Sequence, residues 1–162
     1  MDPILWLTDK DDNRIQDGIT NIIKVKIDGI SYGNEIEYHV WNNIRGTQVR
    51  EDLQYCWASA FDTEETGQDL EFGDNLDILR NGWLQIKCPT YEDKWYTVCG
   101  NTDKCPIGAN NTNTIFGSTN SGNFETDINN RAIIVVRLVG NYNLSLVPPG
   151  LRSMKLVVGG SF

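Results

Sequence analysis

The chain has 162 residues, 40% of them apolar and 22% charged, an ordinary globular composition long enough for one domain with its own core. Its 22 acidic and 14 basic residues leave a formal charge of −8; this argues against nucleic acid and against anionic membrane as partners, because both select clustered Lys and Arg. No run reaches the roughly 18 apolar residues of a spanning helix, and "MDPILWLTDKDD" has neither the basic start nor the apolar stretch of a secretory signal. The expectation is a chain made and assembled in the cytoplasm, or one whose signal has been removed.

Residues 1–18 are expected to form an N-terminal arm and 19–162 a single domain. In the arm, "PILWL" carries Trp6 ahead of any strand signal, as a segment that docks either on its own domain or on a neighbouring chain. "WLTDKDDNRIQDG" then places Asp9, Asp11 and Asn13 where a calcium loop has its first three oxygen ligands, and Asp17 where it has a later one. Arg14 stands at the glycine position and Thr20 at the bidentate glutamate position, so the two most demanding requirements fail. An acidic turn with no metal is expected.

Short alternating runs rich in Val, Ile, Tyr and Trp, with Gly, Asn and Pro between them, point to an all-β fold. "IIKVKID" sets Ile23, Val25 and Ile27 on one face and Lys24 and Lys26 on the other; "EIEYHVWN" sets Ile36, Tyr38 and Val40 inward and Glu35, Glu37, His39 and Trp41 outward. "DLQYCWASAF" puts Leu53, Tyr55 and Trp57 opposite Cys56, Ala58 and Ala60, which suits a central strand covered on both faces, with Trp57 in the core. Asn81-Gly82 fits the turn of a hairpin. The following run leads through Pro89 to Lys94 into "WYTVC", a three-stranded meander in which pairing of Cys88 with Trp95 would send Trp95 inward and Trp83 and Tyr96 outward. A one-residue slip would reverse those faces.

From Pro106 to Asn130 the chain is crowded with Asn, Thr, Ser and Gly. A loop of that length is uncommon unless functional, and Phe116 and Phe124 are its expected docking points. "AIIVVRLV" and "RSMKLVVG" are two further strands.

The four cysteines, Cys56, Cys88, Cys99 and Cys105, fit either buried thiols or at least one disulfide, with Cys99 and Cys105 the nearest pair. They include no C-x-x-C, and the single histidine, His39, is expected to face solvent, so neither a zinc site nor a Ser-His or Cys-His catalytic arrangement is anticipated. No phosphate-binding glycine motif occurs, and no cofactor is expected. The sequons at Asn110 and Asn143 are read as coincidental. Exposed aromatics are the remaining candidates for contact with another molecule: Trp6, Trp41, Trp83, Tyr91, Tyr96, Phe116 and Phe124.

The strands at 132–139 and 152–159, joined by a Pro-Gly turn, resemble the closing hairpin of immunoglobulin-like β-sandwiches, and seven or eight short strands over the chain agree with that architecture. As a compact, acidic, Asn- and Gly-rich β-protein, the chain also resembles the head-decoration, head-fibre or tail proteins of tailed bacteriophages. That resemblance implies a non-enzymatic virion component, homo-oligomeric and bound to other virion proteins. The alternative is an extracellular carbohydrate-binding or adhesive module, in which Trp41, Trp83, Tyr91 or Tyr96 would stack on a host-surface glycan.

Overall fold

Among the described residues, the runs in which apolar and polar side chains alternate are extended. The computed structural model describes residues 1–19, 22–30, 34–63, 69–70, 82–139 and 152–162, and their regular structure is entirely β. In chain order the strands are β1 (Leu5–Asp9), β2 (Arg14–Ile19), β3 (Ile22–Ile30), β4 (Glu35–Asn42), β5 (Leu53–Thr63), β6 (Asp69–Leu70), β7 (Leu84–Cys88), β8 (Glu92–Thr97), β9 (Cys105–Pro106), β10 (Thr114–Ile115), β11 (Arg131–Leu138) and β12 (Arg152–Ser161).

Two antiparallel sheets result. The first has six strands in the order β2-β1-β4-β11-β7-β8. The second runs β3-β12-β5, and the far side of β5 is paired in turn by β10 at Leu53 and Gln54, by β9 at Trp57 and Ala58, and by β6 at Asp62 and Thr63. One core cluster joins both sheets, with Leu5, Leu7, Val40, Ile86, Ile134 and Val136 from the first meeting Ile23, Ala58, Ala60, Leu156 and Val158 from the second. Each of the larger aliphatic side chains in it contributes about 1.5–3 kcal/mol by leaving water.

Residues 1–18 supply β1 and all but the last residue of β2 to the first sheet. Strand β1 lies between β2 and β4, and the alternation of "LWLTD" sends Leu5 and Leu7 into the core. The closing hairpin expected at 132–159 does not form, since β11 pairs with β4 and β7 while β12 pairs with β3 and β5 in the other sheet. The Pro-Gly turn, Asn81, the run from Asp77 to Arg80 and the Asn143 sequon lie outside the described residues.

Strand β5 is central, as its sequence suggests, but a bulge shifts its faces. Trp57 pairs with Gly159 and Gln54 with Ser161, so β5 holds one residue more than β12 over this interval, and Tyr55 takes the slack at φ 50°. Leu53 and Cys56 therefore both enter the core. Trp57, expected there, is instead half-buried against Gly159, which a Cβ would bring within 2.7 Å of the indole, and it lies beneath Lys104.

All four cysteines are thiols, with Cys56, Cys88 and Cys105 buried. Burial raises the pKa of all three, that of Cys56 from 9.0 to about 12.

Candidate functional site

The outer face of the first sheet brings charged and aromatic side chains together. Tyr38 and Val40 of β4 point into the core as the alternation requires, leaving Glu37, His39 and Trp41 on the opposite face. That face is covered. The chain from Phe116 to Asn130 folds back across it, and the Phe124 ring stacks on His39 with centroids 4.5 Å apart and planes at 25°. Arg131 completes the layer by donating from Nε to the Phe124 carbonyl at 2.7 Å, with its guanidinium 3.9 Å from the Phe124 ring centre.

His39 is thus 2% exposed, which corrects the expectation of a solvent-facing side chain. Its Nε2 lies 2.7 Å from Glu37 Oε1 and its Nδ1 3.5 Å from Asp12 Oδ1. Both ring nitrogens face carboxylates and the Phe124 ring lies over the imidazole, so the side chain is enclosed on these sides. Arg131 is buried in the same layer. Burial lowers its pKa, and the nearby carboxylates of Glu125, Asp12 and Glu37 oppose that shift.

Asparagine side chains fasten the covering loop to the sheet. Asn42 accepts from the Ile4 amide and donates to the carbonyls of Glu51 and Ile115; Asn43 donates to those of Gln48, Gly117 and Ser118. Asn130 donates to Phe116 and Ser118. A loop with few apolar residues meets its backbone hydrogen-bonding needs in this way.

A cavity of about 250 Å³ opens beside this layer, lined by Trp6, Thr8, Asp12, Arg14, Ile44, Arg45 and Gly122. The β1–β2 hairpin forms one wall, with the Arg14 guanidinium stacked 3.8 Å over the Trp6 ring. The loop forms the other. Asn120 Oδ1 accepts from the amides of Arg45 and Gly122 at 3.0 Å each, and Gly122 sits at φ 77°, where a Cβ would come within 2.6 Å of Arg45 Cγ. Thr8 Oγ1, of a residue in the cavity wall, and Trp41 Nε1, on the neighbouring strand, are buried without a hydrogen-bond partner among the described residues. A second cavity, of about 220 Å³, is lined by Thr90, Asn110, Asn111, Ile128 and Arg131.

The candidate aromatics separate. Trp6 and Phe124 lie on the covered face, where Trp41 is fully buried opposite Trp6. Trp83 is buried in the core, and Tyr91 and Tyr96 pack against its edge. Strand β8 pairs Cys88 with Glu92 and Ile86 with Tyr96, so Tyr96 turns inward and Trp95 outward, the reverse of the expected register. The Trp95 ring lies under Arg137 and Lys87. The expected exposure of Trp41 and Trp83 is corrected, and no stacking platform forms from them. Phe116 is half-buried at the base of the loop, its amide donating to the Asn129 carbonyl.

In the acidic turn, Asp9 Oδ1 accepts from the amides of Asp11 and Asn13 at 2.9 Å each, and Oδ2 accepts from the Asn13 side chain at 3.0 Å. Its oxygens serve the turn between β1 and β2. These donors, the Asn13 side chain foremost, lower the Asp9 pKa.

Fold and site define a two-sheet, all-β protein with a loop-covered polar face. No protein-family model, curated protein or solved structure matches the chain.

Proposed function

We propose that this chain is a non-enzymatic virion structural protein, a surface, decoration or assembly component of a bacteriophage particle that acts through protein–protein contacts. The observation that carries the reading is a set of exposed apolar side chains distributed about one segment. Val49 and Tyr55, 66% and 74% exposed, lie at the two ends of residues 49–55. Met1, also exposed, accepts from the Glu51 amide through its carbonyl, and exposed Phe162 follows Ser161, the register partner of Gln54. Apolar side chains left in water around the start of β5 suit contact with another subunit. An immunoglobulin-like kinship belongs to the same proposal; the sequence pattern at 132–159 supports it, and the placement of β11 and β12 in opposite sheets counts against it.

Two measurements test the reading. Sedimentation velocity is expected to show concentration-dependent association that Tyr55→Ser weakens without changing the melting temperature. Mass spectrometry of particles purified from the host is expected to find the chain at a fixed copy number. A monomer at every concentration, together with absence from the particles, would overturn it.

A further inference from the structure

We propose that the cavity between the β1–β2 hairpin and the loop tip at Gly122 binds a carboxylate-bearing monosaccharide, the acidic residue of a glycan. The site shares no lining residue with the apolar segment at 49–55, so this proposal stands or falls separately from the assembly reading.

Four features of the cavity define its ligand. The first is positive charge. On a chain of net charge −8, Arg14 and Arg45 meet at one opening. The Arg45 guanidinium has no ion-pair partner among the described residues, whereas the loop fixes its backbone through Asn120. A guanidinium so placed suits a carboxylate, which it can bind through two parallel hydrogen bonds.

The second is Asp12, 45% exposed in the same wall and held near His39. Its carboxylate repels a bare phosphate or sulfate and accepts hydrogen bonds from hydroxyl groups. A ligand that satisfies both walls therefore carries an acid at one end and hydroxyls at the other.

The third is Thr8. Its Oγ1 is buried and has no partner among the described residues, although the residue lines the cavity. An unpaired buried hydroxyl costs on the order of 1–3 kcal/mol. An incoming hydroxyl or ring oxygen lies where Thr8 Oγ1, turned towards the cavity by rotation about χ1, gains a partner. The fourth is Ile44, whose apolar surface beside the Arg14–Trp6 stack suits the C–H face of a sugar ring.

Size sets the limit. At about 250 Å³ the cavity is smaller than the roughly 300–1,000 Å³ of sites for drug-sized ligands, so it accepts one ring. A neutral hexose leaves the Arg45 guanidinium without a carboxylate among the described residues, and a simple carboxylate uses neither Thr8 nor the hydroxyl-accepting Asp12.

The test is an NMR titration of the full chain with glucuronate, using glucose and acetate as controls. Glucuronate is expected to shift the Gly122 and Arg45 amides and the Trp6 indole saturably, with millimolar affinity, and to bind about tenfold more tightly than either control. Arg45→Ala and Thr8→Val are each expected to weaken glucuronate about tenfold or more, with the amide spectrum elsewhere unchanged. Arg45→Lys should recover part of the loss. Equal binding of glucose or acetate, shifts outside the cavity, or no saturable shift by about 50 mM glucuronate would overturn the proposal. If Thr8→Val unfolds the hairpin, the exposed Arg45→Ala exchange alone decides.

Discussion

Phe124 lies flat over His39, the two ring centroids 4.5 Å apart, and through this contact a loop of polar residues is held on a β-sheet. Stacked pairs are worth about 0.5–1.5 kcal/mol beyond the area they bury. Phe124→Ala removes the roof from a buried histidine flanked by Glu37 and Asp12. A loss of about 1–3 kcal/mol in urea unfolding is expected, together with hydrogen exchange at the amides of 118–127 well ahead of those in β11. A loop that stays equally protected would show that the asparagines alone hold it.

Asn42 links three segments. Its side chain bonds to Ile4, Glu51 and Ile115 while wholly buried. Asn42→Ala leaves an amide and two carbonyls unsatisfied, and a loss of about 2–4 kcal/mol is expected by chemical denaturation. A change under about 0.5 kcal/mol, the range of an ordinary surface substitution, would contradict the anchoring role.

Asp9 provides a pH-dependent reading of the first hairpin. Its folded pKa is depressed, above all by the Asn13 side chain, from an ordinary value of 3.8. The sign follows: the contribution is present above the ordinary carboxylate range and is lost as pH falls through the lowered value. In an NMR titration of the side-chain carboxyl, Asn13→Ala should move the Asp9 midpoint upward. A midpoint that stays where it was would show that the turn does not hold the carboxylate.

The buried thiols report the core from the alkaline side. Burial takes Cys56 from 9.0 to about 12, so the folded chain keeps its proton where the unfolded chain gives it up. That contribution is intact below pH 9 and declines as the pH rises towards 12. Cys56, Cys88 and Cys105 are expected to resist iodoacetamide in the native protein and to react once urea unfolds it. Rapid native labelling of all three would mean that the core opens locally.

Much of the fold could be read from alternation. Strand β4 occupies the expected residues, β11 and β12 start within a residue of expectation, and β5 is central because both of its faces are substantially apolar. What failed depended on distant partners. The pattern placed His39 and Trp41 correctly on the outer face of β4, but nothing local announces that a loop carrying Phe124, far along the chain, will cover them. The bulge at Tyr55 and the irregularity between Ile86 and Cys88 each shift the register, which moved Trp57, Trp95 and Tyr96 to faces that strict alternation does not give them. Strand β1 was missed because "LWLTD" is short and runs into an acidic turn; its signal is the Leu5–Leu7 pair, two apolar residues at strand spacing. The cavity was equally hidden, since Thr8, Asp12, Arg45 and Gly122 come together only when the loop docks.

The three short strands along β5 have a mechanical consequence. A bare margin of eleven residues would offer a continuous row of amides and carbonyls on which an extended chain from another molecule could grow. Interrupted pairing by β10, β9 and β6 takes up that row at three places, which leaves an extended strand from another molecule no continuous run of free groups there to pair with.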